Sequence, residues 1–289
     1  MIEGRPSRTA LGAAARRALH RVLDDPLILD DPLALDILPP EGVARVQRDA
    51  ARRRFPGSSQ LRGFLAARSR IAEDQLALGV ARGVDQYVIL GAGLDTFAYR
   101  SHDRFPSLRV FEVDYPATQI WKRERLAAAS ITIPPSVTYV PIDFTTDKLI
   151  ASLVAAGFAL DRPACFTWLG VTMYLHESEV IATLTDIAGC APGTSVVFDY
   201  MISDRHLSLL VKWFVGRSAR RVARHGEPWI ARFEPEELAA TLHRIGFSTV
   251  IDLGPDEIHQ RLFANRTDGL RNGPVGHVLI AETGPAATP

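Results

Sequence analysis

Two glycines interrupt an apolar segment at Val88–Thr96, which reads VILGAGLDT. Gly91 and Gly93 leave bare backbone where the apolar run ends, so a ligand can approach the main chain closely. Asp114 ends the next short apolar run and offers a carboxylate to a ribose hydroxyl. Glycines after one strand and an acid after the next are typical of α/β proteins that bind adenosine-containing cofactors.

The glycine pattern is incomplete for a dinucleotide. A full dinucleotide fingerprint has a third glycine three residues after the second, and Thr96 occupies that position. The pattern therefore favours S-adenosylmethionine, which contains ribose and adenine but has no phosphate to be bound. A tight strand-to-loop turn that binds no ligand is the alternative.

Two further residues extend the predicted adenosine site. Asp143 follows a third predicted strand, and we expect its carboxylate to accept from the exocyclic amine of adenine while Phe144 packs on the ring. Glu112, two residues before Asp114, is an alternative acceptor for the ribose hydroxyls. Because strand ends meet at the same edge of a parallel sheet, these side chains are predicted to share one crevice.

The carboxylate of the cofactor's amino-acid group requires a cation. Arg68 and Arg70 both lie on the predicted helix that precedes the glycine segment. An arginine pairs with a carboxylate through two parallel hydrogen bonds. We expect Arg68 to bind the cofactor, because Asp74 lies four residues after Arg70 and provides it with a surface partner.

Short β-type segments alternate with helical ones from residue 86 onward, which is typical of a sheet covered on both faces. Only a loop is predicted between the last two strands, which favours an antiparallel final strand. The fold class is thus α/β, a seven-stranded, mostly parallel Rossmann-like sheet with an antiparallel last strand. The strands are predicted near 86–90, 109–113, 138–142, 164–169, 195–200, 249–253 and 277–281.

The chain divides into two parts. Residues 1–82 are predicted to form an N-terminal helical cap or lid, with Asp-Asp-Pro at 24–26 and 30–32 as helix breakers. Residues 83–289 form the predicted cofactor-binding core. Within it, 203–233 contains aromatic residues among several arginines and is predicted to be a lid insertion, with a helix pair packed on the core as the alternative.

Composition excludes several classes of partner. Lys plus Arg equals Asp plus Glu at 33 each in 289 residues, so no overall field attracts nucleic acid or an anionic membrane. No apolar run approaches the roughly 20 residues that cross a bilayer. Cys165 and Cys190 lie in apolar surroundings, which favours a reducing, cytoplasmic location. The eight histidines show no metal-ligand spacing, and we expect no metal.

Five segments resemble, in order, the motifs of the leucine carboxyl methyltransferase family, including its bacterial branch of S-adenosylmethionine-dependent O-methyltransferases. They are FLAARSRIAEDQL, VILGAGLDTFAYR, VFEVDYPATQIWKRERL, YVPIDF and WLGVTMYL. The resemblance implies a methyltransferase core with S-adenosylmethionine as methyl donor. It implies that Arg68 binds the methionine carboxylate, Gly91 contacts the cofactor through its backbone, Asp114 binds the ribose, and Asp143 with Phe144 binds adenine. Leu169 departs from the family, since many members carry a glutamate there.

Methyl transfer to an oxygen is therefore the predicted activity, and we expect the acceptor to be the carboxylate of a small molecule. A carboxylate is ionised at neutral pH, whereas a phenol with a pKa of about 10 needs a general base. His176 is the nearest base in sequence, although a position at the start of a helix explains it better. The phenol acceptor, a nicotinamide-dependent oxidoreductase and a non-catalytic cofactor-binding sensor stay open as alternatives, as do the catalytic residues and the oligomeric state.

Overall fold

The computed structural model of the protein describes residues 8–51, 58–144, 147–208, 211–213, 216–217, 219 and 228–284. Seven strands form its sheet: β1 Gln86–Leu90, β2 Arg109–Asp114, β3 Val137–Pro141, β4 Cys165–Trp168, β5 Ser195–Met201, β6 Phe247–Leu253 and β7 Gly276–Thr283. The α-helices whose first and last residues are described are α1 Arg8–Leu23, α2 Pro40–Ala51, α3 Ser58–Ala81, α4 Phe97–Arg100, α5 Pro116–Ala128, α6 Leu149–Ala155, α7 Glu177–Ala188, α8 Pro235–Ile245 and α9 Pro255–Leu262.

The strand order is β3-β2-β1-β4-β5-β7-β6. Strands β1 to β5 pair with one another in parallel. Strand β7 lies between β5 and β6 and is antiparallel to both. These pairings confirm the predicted fold class, including the antiparallel last strand.

Helices cover both faces of the sheet, so β1 and β5 are buried along their whole length. One face packs against α7 and α8 through a cluster that includes Phe166, Phe198 and Leu184. The opposite face packs against α3 through Ala67 and Ile71. Because α3 lies on the sheet and contacts β4, β5 and β7, its polar side chains are held close to the ends of those strands.

The first two helices pack on each other and on the segment that follows the glycines. Their shared cluster includes Ala18 and Val46 together with Leu94, the residue directly after Gly93. Within residues 1–82, α1 and α2 therefore pack on the segment after the glycines, whereas α3 packs on the sheet. The division of the chain at residue 82 stays a prediction.

A helix between the last two strands was not predicted from the sequence. The segment between the last two strands was predicted to be a loop, but it contains α9. The helix has Pro255 at its start, acids in its first turn and basic residues in its last turn, which suits the helix dipole. Ile258 is its buried residue and Leu262 packs beside it, so the helix has a single apolar pair at helical spacing.

Part of the predicted insertion at 203–233, including Phe214, lies outside the described residues. Within the described part, Trp213 is exposed and Phe233 is buried, with its backbone N–H bonded to the carbonyl of Met201 at 3.0 Å. Cys165 and Cys190 are free and buried, as expected. In the part of the chain that the structure describes, none of the helices has the length and apolar character needed to cross a bilayer.

Candidate active site at the carboxyl ends of the strands

The two glycines after β1 both adopt left-handed backbone conformations, with φ of 67° at Gly91 and 46° at Gly93. A Cβ on Gly91 would lie 2.3 Å from Cγ2 of Val171, in the loop after β4. A Cβ on Gly93 would lie 3.1 Å from Cβ of Ala10 in α1. Both positions therefore require glycine for their conformation, and Gly91 also for the close approach of the neighbouring loop.

Asp114 holds this glycine segment directly. Its carboxylate accepts from the N–H of Gly93 at 2.5 Å and from the N–H of Tyr115 at 2.7 Å. Burial raises the pKa of Asp114 above its usual range, and these two backbone hydrogen bonds offset part of that rise. Helix capping does not explain the residue, because Tyr115 is the cap of α5. Its remaining lone pairs can accept from ribose hydroxyls.

The third strand brings Asp143 and Phe144 to the same edge. The N–H of Ile142 donates to the carbonyl of Asp114 at 2.9 Å, which places the next two residues beside β2. Both are partly buried. The ring of Phe144 lies 6.1 Å from that of Trp168 at an angle of 32°, so it is supported from the β4 side.

Arg68 extends from α3 to the ends of β4 and β5. Its Nη1 donates to Oδ2 of Asp199 at 2.6 Å. A Cβ on Gly170 would lie 2.8 Å from Nη2, so the guanidinium fills the space beside that glycine. Its Nε is buried without a hydrogen-bond partner among the described residues. Arg70 instead pairs with Asp74 at 2.8 Å on the surface, as the sequence suggested.

The predicted site residues thus form one continuous row of contacts. Asp143 follows the segment bonded to Asp114, Asp114 bonds Gly93, and Gly91 abuts Val171. Val171 follows Gly170, which lies against Arg68. The row crosses the carboxyl ends of β3, β2, β1, β4 and β5 in that order, which is where open α/β sheets bind ligands.

Glu112 has a different role from the one considered for it. It is fully buried, and its Oε2 lies 2.8 Å from Nζ of Lys122 and accepts from the hydroxyl of Tyr99 at 2.9 Å. Burial raises the pKa of Glu112, and the Lys122 charge lowers it in part. This carboxylate is committed to an internal ion pair with Lys122.

A buried charge network fastens the glycine segment to the N-terminal helices. Asp31 accepts from the hydroxyl of Thr96 at 2.7 Å and lies 3.3 Å from Nε of Arg17. Arg17 also donates to the carbonyl of Leu94 at 2.5 Å. Burial would raise the pKa of Asp95, but the charges of Arg17, Lys122 and Arg100 hold it below its usual range. Thr96, where a dinucleotide fingerprint has glycine, therefore contacts protein rather than phosphate.

The residues of this row fit S-adenosylmethionine. Gly91 and Gly93 hold the loop after β1 in left-handed conformations that a side chain would not allow, with Val171 and Ala10 close against them. Arg68 has a buried Nε–H without a partner among the described residues, from which a carboxylate could accept. Asp114 and Phe144 supply an acceptor and a ring for the adenosine part. Leu169 is partly buried and packs against the α3 cluster, so it adds no acidic group to this edge.

The two histidines near this edge differ in their surroundings. His176 is exposed at the start of α7, where its backbone N–H donates to Glu179 at 2.6 Å. His277 was missed, and its Nδ1 lies 2.8 Å from Oδ2 of Asp252. The hydroxyl of Tyr200 lies 3.4 Å from the same nitrogen. Strand pairing between β5 and β7 creates this cluster, and no sequence motif marks it.

Known proteins are similar to this chain in sequence and in fold. The family model for leucine carboxyl methyltransferase matches residues 10–188. YktD of Bacillus subtilis (strain 168), which is named as a proposed S-adenosyl-L-methionine-dependent methyltransferase, is 33% identical, with 93% of this chain and 95% of YktD covered.

Two solved structures share the fold. A DUF574 family protein from Streptomyces avermitilis has a TM-score of 0.62 at 18% identity, covering 94% of this chain and 97% of the other. A protein from Thermobifida fusca, described as a proposed methyltransferase, has a TM-score of 0.60 at 19% identity, covering 98% of this chain and 97% of the other. From the family match and the similarity to YktD, the chain belongs to the leucine carboxyl methyltransferase family.

Proposed function

We propose that this protein transfers a methyl group from S-adenosylmethionine to the carboxylate oxygen of a small molecule. Methyl transfer that depends on S-adenosylmethionine follows from the family. The observation that carries the assignment of the site is the row of contacts from Asp143 through Asp114 and Gly91 to Arg68, which matches the parts of that cofactor in order.

Each residue of the row has a binding task. Arg68 pairs with the amino-acid carboxylate through its free Nε–H, and Asp114 accepts from the ribose. Asp143 accepts from the adenine amine, while Phe144 packs on the ring. When bound, the cofactor supplies an electrophilic methyl group on a sulfonium. The chain's own contribution is to align an acceptor oxygen with that methyl group and to exclude water, which accounts for much of the catalysis in such displacements.

A carboxylate acceptor agrees with the family's name and with the chemistry of this edge. A carboxylate is already ionised at neutral pH, so no side chain has to remove a proton. His176 is exposed at the start of α7. A phenol is the second candidate, because His277 donates through Nδ1 to Asp252, an arrangement that leaves Nε2 to accept a proton.

One assay separates the two acceptors. The protein is incubated with methyl-labelled S-adenosylmethionine and a metabolite extract, and the labelled product is treated with mild base. We expect the label to be released, because a methyl ester hydrolyses and a methyl ether does not. A base-stable product that the His277→Gln variant no longer forms would establish the phenol instead. Failure to label any acceptor, with the cofactor bound, would indicate a sensor.

Asp114→Asn is expected to weaken the binding of S-adenosylhomocysteine by about 10- to 100-fold, since hydrogen bonds to a charged acceptor are worth about 1.5–3 kcal/mol. Calorimetric titration measures the affinity. In the wild type, affinity should also fall as the pH falls through the raised pKa of Asp114, because the protonated carboxyl loses acceptor strength. Asp161→Asn, at an exposed site, is the control. Equal affinities in the two variants would remove Asp114 from the site.

A further inference from the structure

We propose that Asp199 is a positioning residue, which fixes the Arg68 guanidinium for the amino-acid tail of the cofactor. Asp199 is 1% exposed and lies near the carboxyl end of β5. It is 131 positions away from Arg68 in the chain, and no sequence motif connects the two. The inference rests on the proposed function, because it assigns a task within the same cofactor site.

The carboxylate of Asp199 joins two elements of that site. Oδ2 accepts from Nη1 of Arg68 at 2.6 Å, and Oδ1 accepts from the N–H of Gly170 at 2.5 Å. The backbone carbonyl of Asp199 accepts from the hydroxyl of Thr172 at 2.6 Å. Helix α3 and the loop after β4 are therefore both fixed to β5 through this residue.

The contact with Asp199 uses one end of the guanidinium and leaves the rest available. Nη1 is bound to Asp199, while Nε has no partner among the described residues although it is buried. A buried N–H without a partner is costly unless a ligand supplies an acceptor. The amino-acid carboxylate of the cofactor is the acceptor that this geometry points to.

Holding Arg68 in place should matter for affinity. A free arginine side chain loses much rotational freedom when it binds a carboxylate, and an anchored one has lost it already. Without the carboxylate of Asp199, the guanidinium must be ordered at the time of binding. The loss should therefore fall on ligands that carry the amino-acid tail and leave tail-less ligands unaffected.

The test compares two ligands by calorimetry. S-adenosylhomocysteine carries the amino-acid tail, and 5′-methylthioadenosine lacks it. In Asp199→Asn, which is nearly the same shape, we expect the affinity for S-adenosylhomocysteine to fall by about tenfold or more and that for 5′-methylthioadenosine to stay within about twofold. Arg68→Lys should likewise lower the ratio of the affinity for S-adenosylhomocysteine to the affinity for 5′-methylthioadenosine. Adding Asp199→Asn to Arg68→Lys should lower this ratio little further, because the two residues act as one unit.

Asp161→Asn is the matched control, since it makes the same substitution at an exposed carboxylate. Its ratio of affinities should equal that of the wild type. If Asp199→Asn does not fold, Asp199→Glu is measured, because it displaces the carboxylate while keeping its charge.

If Asp199→Asn weakens the binding of both ligands equally, or of neither, Asp199 has a structural role alone. Either result would overturn the inference while leaving the proposed function in place. A wild-type protein that binds neither ligand would instead overturn the proposed function, and the inference with it.

Discussion

Lys122→Met is expected to lower the free energy of unfolding by about 3–5 kcal/mol, because it leaves Glu112 as an unpaired charge inside the protein. The side chains of Lys122 and Glu112 are 2% and 1% exposed, and water cannot replace the lost partner. Methionine has nearly the length of lysine, so the substitution removes the charge without opening a large cavity. Urea unfolding measures the loss.

The loss should depend on pH in a defined direction. Burial raises the pKa of Glu112 above its unfolded value, and removing Lys122 raises it further. A carboxyl with a raised pKa stabilises the fold while it is protonated, and that stability is lost as the pH rises through the folded pKa. The variant should therefore lie closer to the wild type at about pH 5 than at about pH 8.

Two further variants control this prediction. Lys148→Met changes an exposed lysine and should alter stability by no more than about 0.5 kcal/mol. Adding Glu112→Gln to Lys122→Met should recover most of the loss, because no charge then stays unpaired. A Lys122→Met protein within about 1 kcal/mol of the wild type at neutral pH would contradict the buried ion pair.

Gly91→Ala should abolish measurable binding of S-adenosylhomocysteine. The new Cβ would lie 2.3 Å from Cγ2 of Val171, so the loop after β4 has to move out of the row of site residues. The φ of 67° adds strain of about 1–2 kcal/mol for any residue with a Cβ. Calorimetric titration and urea unfolding on the same samples separate the binding effect from the stability effect.

Gly83→Ala is the matched control for that variant. Gly83 also has a positive φ, 94°, but nothing lies within 4 Å of its Cβ position. It should therefore lose stability from backbone strain and bind the ligand normally. If Gly91→Ala also binds like the wild type, the cofactor site lies elsewhere on the protein.

Much of the fold could be predicted because clear signals bound its elements. Strand β1, predicted at 86–90, is Gln86–Leu90 and is followed at once by Gly91. Helix α9 was missed because its eight residues contain a single apolar pair at helical spacing, Ile258 and Leu262.

The site could be predicted only in part, for a physical reason. Gly91, Asp114 and Asp143 follow strands, and strand ends have a known place in a parallel sheet. The partners of these residues depend on which strands become neighbours. Asp199 meets Arg68 only because β5 lies beside β4 under α3, and Lys122 meets Glu112 only because α5 packs beside β2.

The bonds of Thr96 and Leu94 to Asp31 and Arg17 have a consequence for how the molecule responds to its ligand. The loop after β1, which belongs to the proposed cofactor site, is joined to α1 by the bond of Arg17, so the equilibria of loop ordering and helix docking are thermodynamically linked. Ligand binding at the loop should therefore stabilise the docked helix α1. Removal of α1 should weaken ligand affinity by the same coupling free energy. Under the proposed function, binding of the methyl donor should therefore stabilise the docking of α1, Arg8–Leu23.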